Sequence, residues 1–290
     1  MSYVGSAYLT NSILGLFDDR LPFWRAIMVV LASASFGMVA GGMVGSGAAS
    51  FQWIKKSNTK SQAAALASSL PLLMNNLAVL FISLFGVAYL LLNHELTNLQ
   101  LISFIVILVL LLLVILMLYL ILYRRSQSAD FLLKMVQKIA TLLKRPFNEE
   151  KFGLQLKEMY DAWDILLDKG WKKPVLSVAM SFGFDIAALY FLFIAGNNMV
   201  TPDVLLIGYG LPLLLGKAAF VIPGGIGVIE GTMVALYGKL GVPQAVAVVV
   251  VLAYRFISFW LPSIIGFPLI VLLQNDHHKK RKRNSVEIDQ

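Results

Sequence analysis

The 290-residue chain has no cysteine and only three histidines, His94, His277 and His278. The first absence excludes disulfides, thiolate catalysis and cysteine-ligated metals. The histidines lie outside the long apolar runs, which argues against a histidine-based metal centre there. Charge is scarce: Asp, Glu, Lys and Arg make up 14% of the chain, against about a quarter in soluble domains. Several catalytic signatures are missing as well. There is no Gly-x-Ser-x-Gly elbow, no Gly-Lys-Ser/Thr phosphate loop and no His-Glu-x-x-His pair. The run from Ala40 to Gly47 is glycine-rich but lacks the strand–turn–helix setting of a nucleotide site. No basic stretch precedes the apolar residues 3–17 and no cleavage site follows them, so no cleavable signal peptide is expected.

What the chain has in abundance is apolar surface. Hydrophobic residues are 58% of it, and the mean hydropathy is +0.77. The apolar segments run over 3–17, 22–45, 62–92, 99–123, 174–195, 203–222, 226–240 and 243–273. Several reach the ~20 residues that a helix needs to cross a bilayer. They do not alternate as barrel strands would. The expected fold is an all-α polytopic integral membrane protein with about seven transmembrane helices plus re-entrant helices. Residues 1–273 form its membrane domain and 274–290 a basic tail. Within the domain, 126–172 is a cytoplasmic insert of two amphipathic helices, suited to a membrane surface or to packing on the bundle.

Charge placement orients the chain. Of the 24 Lys and Arg, 11 lie in residues 124–173 and five in 279–283. Both regions are expected inside, with the carboxy terminus, in a cytoplasmic (inner) membrane. Beside spanning helices such a basic surface points to anionic phospholipid rather than nucleic acid.

Two glycine-rich breaks interrupt apolar helices. Pro223-Gly224-Gly225-Ile226-Gly227 separates 203–222 from 226–240, and Gly41-Gly42 holds the same place in the first half. Gln62-Ala63-Ala64-Ala65 and Gln244-Ala245-Val246-Ala247 follow them in turn. This predicts an inverted repeat with re-entrant hairpins, a transporter plan with its site near the midplane. Irregular backbone at that depth is tolerated only where it is buried in protein or lines a cavity.

Four charged residues fall in the interior of apolar segments, away from their ends: Asp185, Lys217, Glu230 and Arg255. Each isolated charge costs about 2.5–3.5 kcal/mol on insertion scales. Their formal charges cancel, so they should pair, meet water or bind charged groups. One reading is a polar cavity in which Arg255 and Lys217 hold a phosphate and Glu230 holds a cationic headgroup or a coupling proton. The other reading is two buried pairs, Glu230–Arg255 and Asp185–Lys217, fixing helix packing. The uncharged residues Ser68, Ser69, Asn75 and Asn76 lie at comparable depth in the first half.

The run Pro223–Glu230, with Gly231, Gly241, Tyr254-Arg255, Pro262 and Gly266 after it, resembles the flippase-like transmembrane domain of the lysylphosphatidylglycerol synthase family. The resemblance implies a stand-alone member, since the family's soluble aminoacyltransferase domain is absent. It implies movement of a phospholipid or lipid-linked headgroup between leaflets, with no cofactor, no metal and no enzymatic activity. Glu230 and Arg255 match the family's acid and arginine, and Pro223, Gly224, Gly225 and Gly227 match its break. A lipid-modifying enzyme and a second copy of the chain are compatible partners. Two alternatives stand beside this reading: a secondary transporter of a small solute or ion, and a non-catalytic scaffold for a lipid- or glycolipid-synthesising enzyme.

Overall fold

A computed structural model describes residues 2–40, 42–93, 125–142, 149–218 and 222–288, with 109, 116 and 123 singly. The expected span over 99–123, the loop expected before it and residues 143–148 otherwise lie outside the described residues. Among those described there are helices and no strands. The chain forms two compact units, Met1–Asn93 with Lys172–Gln290, and His94–Trp171.

The larger unit carries two sets of four elements in the same order. The first set is α1 (Ser2–Leu14), α2 (Phe23–Val39), α3 (Met43–Lys55) and α4 (Ser61–Asn93). In the smaller unit lie α5 (Arg125–Leu142) and α6 (Glu149–Lys169). The second set is α7 (Lys172–Ala195), α8 (Pro202–Ala218), α9 (Val228–Lys239) and α10 (Gln244–Arg255), which runs through a π-turn at Phe256–Trp260 into α11 (Leu261–Ile288). The broken hairpins are α2–α3 and α8–α9. Gln62 and Gln244 both open the helix that follows a hairpin.

Length and hydropathy mark Ser61–Gly86, Lys172–Ala195 and Gln244–Asn275 as helices able to cross a membrane, and Phe23–Val39 as a shorter apolar one. The hairpin arms are different. With 12 and 13 residues, α9 and α3 extend only about 18–20 Å at 1.5 Å per residue, less than the ~30 Å of hydrocarbon. The protein is a polytopic all-helical membrane protein whose hairpin arms stop short of full spans. Inside α4, α8 and α11 sit Pro71, Pro212 and Pro268. Membrane helices accept proline because neighbouring groups take up the freed carbonyls.

The two sets interlock. The most extensive helix–helix interfaces join each hairpin's first arm to the other set's long helix, α2 to α11 and α8 to α4. α1 packs on α7, the corresponding elements of the two sets. Each crossing is made close by a small residue and closed by a serine hydroxyl. Ser35 donates to the Ser263 carbonyl at 3.2 Å, where a Cβ on Gly266 would sit 2.0 Å from Ser35 Oγ. Ser83 donates to the Gly210 carbonyl at 2.8 Å, where a Cβ on Gly210 would sit 2.8 Å from Ile82 Cγ2. Ser181 donates to the Ser2 carbonyl at 3.2 Å, beside Gly5. Apolar burial drives no association between helices already in lipid, so contact and hydrogen bonding at small residues take its place.

In the second set the core gathers Leu189, Phe193, Tyr209, Met233, Tyr237 and Val251. Tyr237 lies against Gly208, meets Phe193 edge-on with centroids 4.8 Å apart, and donates to the Leu205 carbonyl at 3.1 Å. One residue thereby ties α9 to both α7 and α8.

The smaller unit is amphipathic. Phe131, Leu154 and Leu167 are exposed large apolar side chains on its helices. Arg125 forks onto both oxygens of Asp164, with 2.6 Å between Nη1 and Oδ2. That bond holds the Asp164 carboxyl below its ordinary range and raises the guanidinium. The guanidinium also lies 5.3 Å from the centroid of the Tyr160 ring.

The crossings generate a prediction. Gly210→Ala and Gly266→Ala should each destabilise the protein by about 1–3 kcal/mol through overpacking. Gly231→Ala, on α9 with nothing within 4 Å of an added Cβ, should be neutral or slightly stabilising. Thermal unfolding of the purified protein in detergent checks all three.

Candidate functional site

The second break is the most irregular backbone in the described membrane unit. After α8 and residues 219–221, a short 3₁₀ turn covers Pro223–Gly225 and α9 begins at Val228. Gly224, Gly225 and Gly227 have φ of +65°, +63° and +82°, values that glycine reaches without the Cβ penalty. Space imposes a second demand. A Cβ on Gly224 would lie 2.2 Å from the Phe259 ring, and one on Gly225 3.0 Å from Ile229. Gly216, near the end of α8, meets the same Ile229 side chain. The arms therefore touch at the tip through Gly216 and Gly225.

One ion pair closes this break. Glu230 is the third residue of α9, where a carboxylate is favoured by the helix N-terminus. Its Oε2 accepts from the Gly227 N–H at 2.7 Å, a reach back to the capping position that satisfies an otherwise orphan amide. Its Oε1 accepts from Arg255 Nε at 2.6 Å. Arg255 Nη2 donates to the Gly224 carbonyl at 3.0 Å. The guanidinium stacks 4.3 Å from the Phe259 centroid. The Arg255 and Glu230 side chains are 6% and 15% exposed. Arg255 is the last residue of α10, and the π-turn starts immediately after it. Single π-turns inside α-helices recur at functional sites; this one carries Phe259 under the guanidinium.

The other two intramembrane charges do not meet each other. Asp185, on α7, accepts from the Tyr209 hydroxyl at 3.4 Å. The Tyr209 and Tyr254 rings, both buried, meet edge-on with centroids 6.1 Å apart, and Tyr3 donates to the Ser258 carbonyl of the π-turn at 3.3 Å. Lys217, on the last turn of α8, donates through Nζ to Asn76 Oδ1 of α4 at 2.5 Å. Glu230, Arg255, Pro223, Gly224, Gly225 and Gly227 thus form one cluster, while Asp185 and Lys217 hold separate positions. Sequence reasoning did not find the Gly224 carbonyl, Phe259 or the Tyr209 bond to Asp185. A backbone acceptor has no residue signature, and an aromatic in an apolar run looks like any other core residue.

Among the described residues no group of three His, Asp or Glu could hold a metal. The cluster offers instead a neutral, hydrogen-bonded clamp on unwound backbone.

The clamp predicts a double-mutant pattern. Arg255→Leu strands the Glu230 carboxylate and should cost about 3–5 kcal/mol. Combining it with Glu230→Met should recover most of that loss, because no charge is then left unpaired. Unfolding of the four proteins in detergent measures the cycle. A double variant no more stable than Arg255→Leu would assign the cost to packing on Phe259 instead.

The chain is 28% identical over 158 residues to a UPF0104 membrane protein of Methanocaldococcus jannaschii, covering 52% of this chain and 46% of that protein. It is 36% identical over 106 residues to a UPF0104 membrane protein of Pyrococcus horikoshii, covering 34% and 31%. A UPF0104 membrane protein of Methanothermobacter thermautotrophicus is 30% identical over 86 residues, covering 30% and 25%. The matched stretches thus span less than half the length of these relatives. No solved structure matches. Residues 4–266 match the family described as the lysylphosphatidylglycerol synthase TM region, and the chain belongs to that family.

Proposed function

We propose that the protein moves a phospholipid or lipid-linked headgroup between the leaflets of the cytoplasmic membrane, its carboxy terminus inside. The observation that carries this reading is the pair of broken hairpins, each gripped by the long helix of the other set. Short arms and unwound tips bring backbone polar groups to a depth where lipid offers them no partner. Such breaks serve polar cargo in membrane transporters. Membership of a family named for the membrane region of a lipid synthase supports a lipid cargo. The basic character of 124–173 supports the orientation and contact with anionic lipid.

In this reading the protein is a translocase rather than an enzyme. Glu230 and Arg255 hold the tip of the second hairpin in its unwound form. The headgroup passes beside the tips while its acyl chains stay in the bilayer. Movement is downhill or ion-coupled, since the sequence carries no nucleotide-binding loop.

The test is leaflet exchange of labelled phospholipids in liposomes containing the full chain. Wild type should exchange lipid faster than protein-free vesicles. Glu230→Gln and Arg255→Gln, each shown to be folded, should lose most of that exchange. A wild-type protein that exchanges no lipid faster than empty vesicles overturns the reading in favour of a small-solute transporter or a scaffold.

A further inference from the structure

The two carboxylates set in the apolar helices of the second half are in opposite situations. Glu230 accepts from the Gly227 amide at 2.7 Å and from Arg255 at 2.6 Å, so its charge is balanced. Asp185 stands 13 residues from one end of α7 and 10 from the other, about 15–20 Å from each, inside a helix able to cross the membrane. Among the described residues no Lys, Arg or His lies within ion-pair distance of it. Lys217, the other intramembrane base, is held by Asn76. The titratable groups that face Asp185 are phenols. Tyr209 of α8 donates to its Oδ2 at 3.4 Å, and Tyr3 of α1 and Tyr254 of α10 feel its charge. Arg255, also on α10, is committed to Glu230 and the Gly224 carbonyl. α4, which packs on α7 as well, carries no Asp, Glu, Lys, Arg or His. A hydroxyl bonded to an ionised carboxylate sits at about 2.5–2.7 Å, and the 3.4 Å contact is too long for one. An ionised carboxylate with no cation beside it is costly at this depth, and a proton removes that cost.

We propose that Asp185 is a proton-carrying site, which holds a proton while Tyr209 lies against it and gives it up to water when α7 and α8 move apart. Oδ2 accepts from Tyr209, so the proton is bonded to Oδ1. On release that O–H bond breaks, its electron pair stays on the carboxylate and the proton passes to water. Asp185 and Tyr209 join α7 to the first arm of the second hairpin. Tyr209 packs on Tyr254, and Tyr254 immediately precedes the Arg255 that holds the hairpin tip. Gain or loss of the proton thus acts one residue away from the clamp, while Glu230 keeps its charge for Arg255. In this scheme the proton is the ion whose movement drives the protein. That driving role rests on the translocation reading; the presence of the proton on Asp185 does not.

The experiment has two readouts on the full chain. The first is infrared spectroscopy of the purified protein, isotope-labelled at the aspartate side-chain carboxyl. Wild type at neutral pH should show the carbonyl band of a protonated carboxylic acid, fading as the pH is raised, and Asp185→Asn should lack it. Should Asp185→Asn fail to fold, Tyr209→Phe answers instead, because loss of the hydroxyl should shift the same band. The amino terminus ahead of α1 also acts on Asp185 at longer range. A tag placed before Met1 moves that charge away, and the band should be unchanged. The second readout is the steady-state leaflet ratio of a labelled phospholipid in liposomes under an imposed pH difference. One proton moved per lipid shifts that ratio about tenfold per pH unit, and Asp185→Asn should abolish the shift. No protonated band in folded wild type overturns the proposal, and so does a band seen only in the tagged chain, which would make the amino group the counter-ion. A ratio that ignores the pH difference, or follows a sodium gradient instead, overturns the driving role. In a protein that exchanges no lipid the translocase reading falls, and the infrared band still decides the site.

Discussion

The contact on which the membrane unit turns is the bond set of Arg255. Unwound backbone in a bilayer has exposed carbonyls and amides and no water to satisfy them. Arg255 supplies a donor to the Gly224 carbonyl, and Glu230 supplies an acceptor to the Gly227 amide. Each could do this alone only as a buried charge, at a cost of several kcal/mol per ion. Joined at 2.6 Å they do it as a neutral unit. The pair is therefore better understood as a means of stabilising a break than as a source of net stability. Replacing a buried pair by apolar side chains is often neutral for folding, but apolar side chains could not hold Gly224 and Gly227 in place.

That role explains the surrounding sequence. Gly224 must lack a Cβ because Phe259 presses on it, and Phe259 is there because it covers the guanidinium. The π-turn after Arg255 gives the register that brings Phe259 beneath its own neighbour. Gly216 and Gly225 let the arms converge on Ile229. Among the described residues no charged side chain meets the corresponding position in the first hairpin. There the tip is closed by backbone: the Gly42 N–H donates to the Gly37 carbonyl at 2.7 Å, and a Cβ on Gly45 would meet the Ala40 carbonyl. Two versions of one break, one clamped by charge and one by glycine alone, make the halves alike in shape and unlike in chemistry.

The sequence made much of this legible. Apolar run lengths marked most helices to within a few residues, because the bilayer imposes length directly. The two breaks stood out because glycine and proline are costly in a helix. Neutrality of the four intramembrane charges suggested the pairs Glu230–Arg255 and Asp185–Lys217, of which only the first forms, since charge balance carries no geometry. Glu230 and Arg255 paired; Asp185 found Tyr209, and Lys217 found Asn76. The match between α1 and α7 was hidden for a different reason. With 13 residues against 24, they share a place in the fold rather than a length. Their kinship shows only in what they touch, each packing on the hairpin arm that follows it and on the long helix of its own set.

This exchange of partners bears on how such a fold could move. Each hairpin's first arm is bonded to the other half's long helix by a serine hydroxyl at a close glycine crossing, and α8 also meets α4 through the Lys217–Asn76 bond. Neither crossing contains an ion pair or an aromatic stack among the described residues. Interhelical hydrogen bonds of this kind contribute on the order of 0.6 kcal/mol each in membranes, far less than dissociating the buried Arg255–Glu230 pair would cost. Within each hairpin the coupling is stronger, through the charge clamp in one case and through backbone bonding in the other. The mechanical consequence is that hairpins should keep their internal shape while the contacts between halves slide. Lys217 and Asn76 sit across one of those sliding contacts. Their bond would be the contact most sensitive to relative motion of the halves, and the Glu230–Arg255 clamp the least.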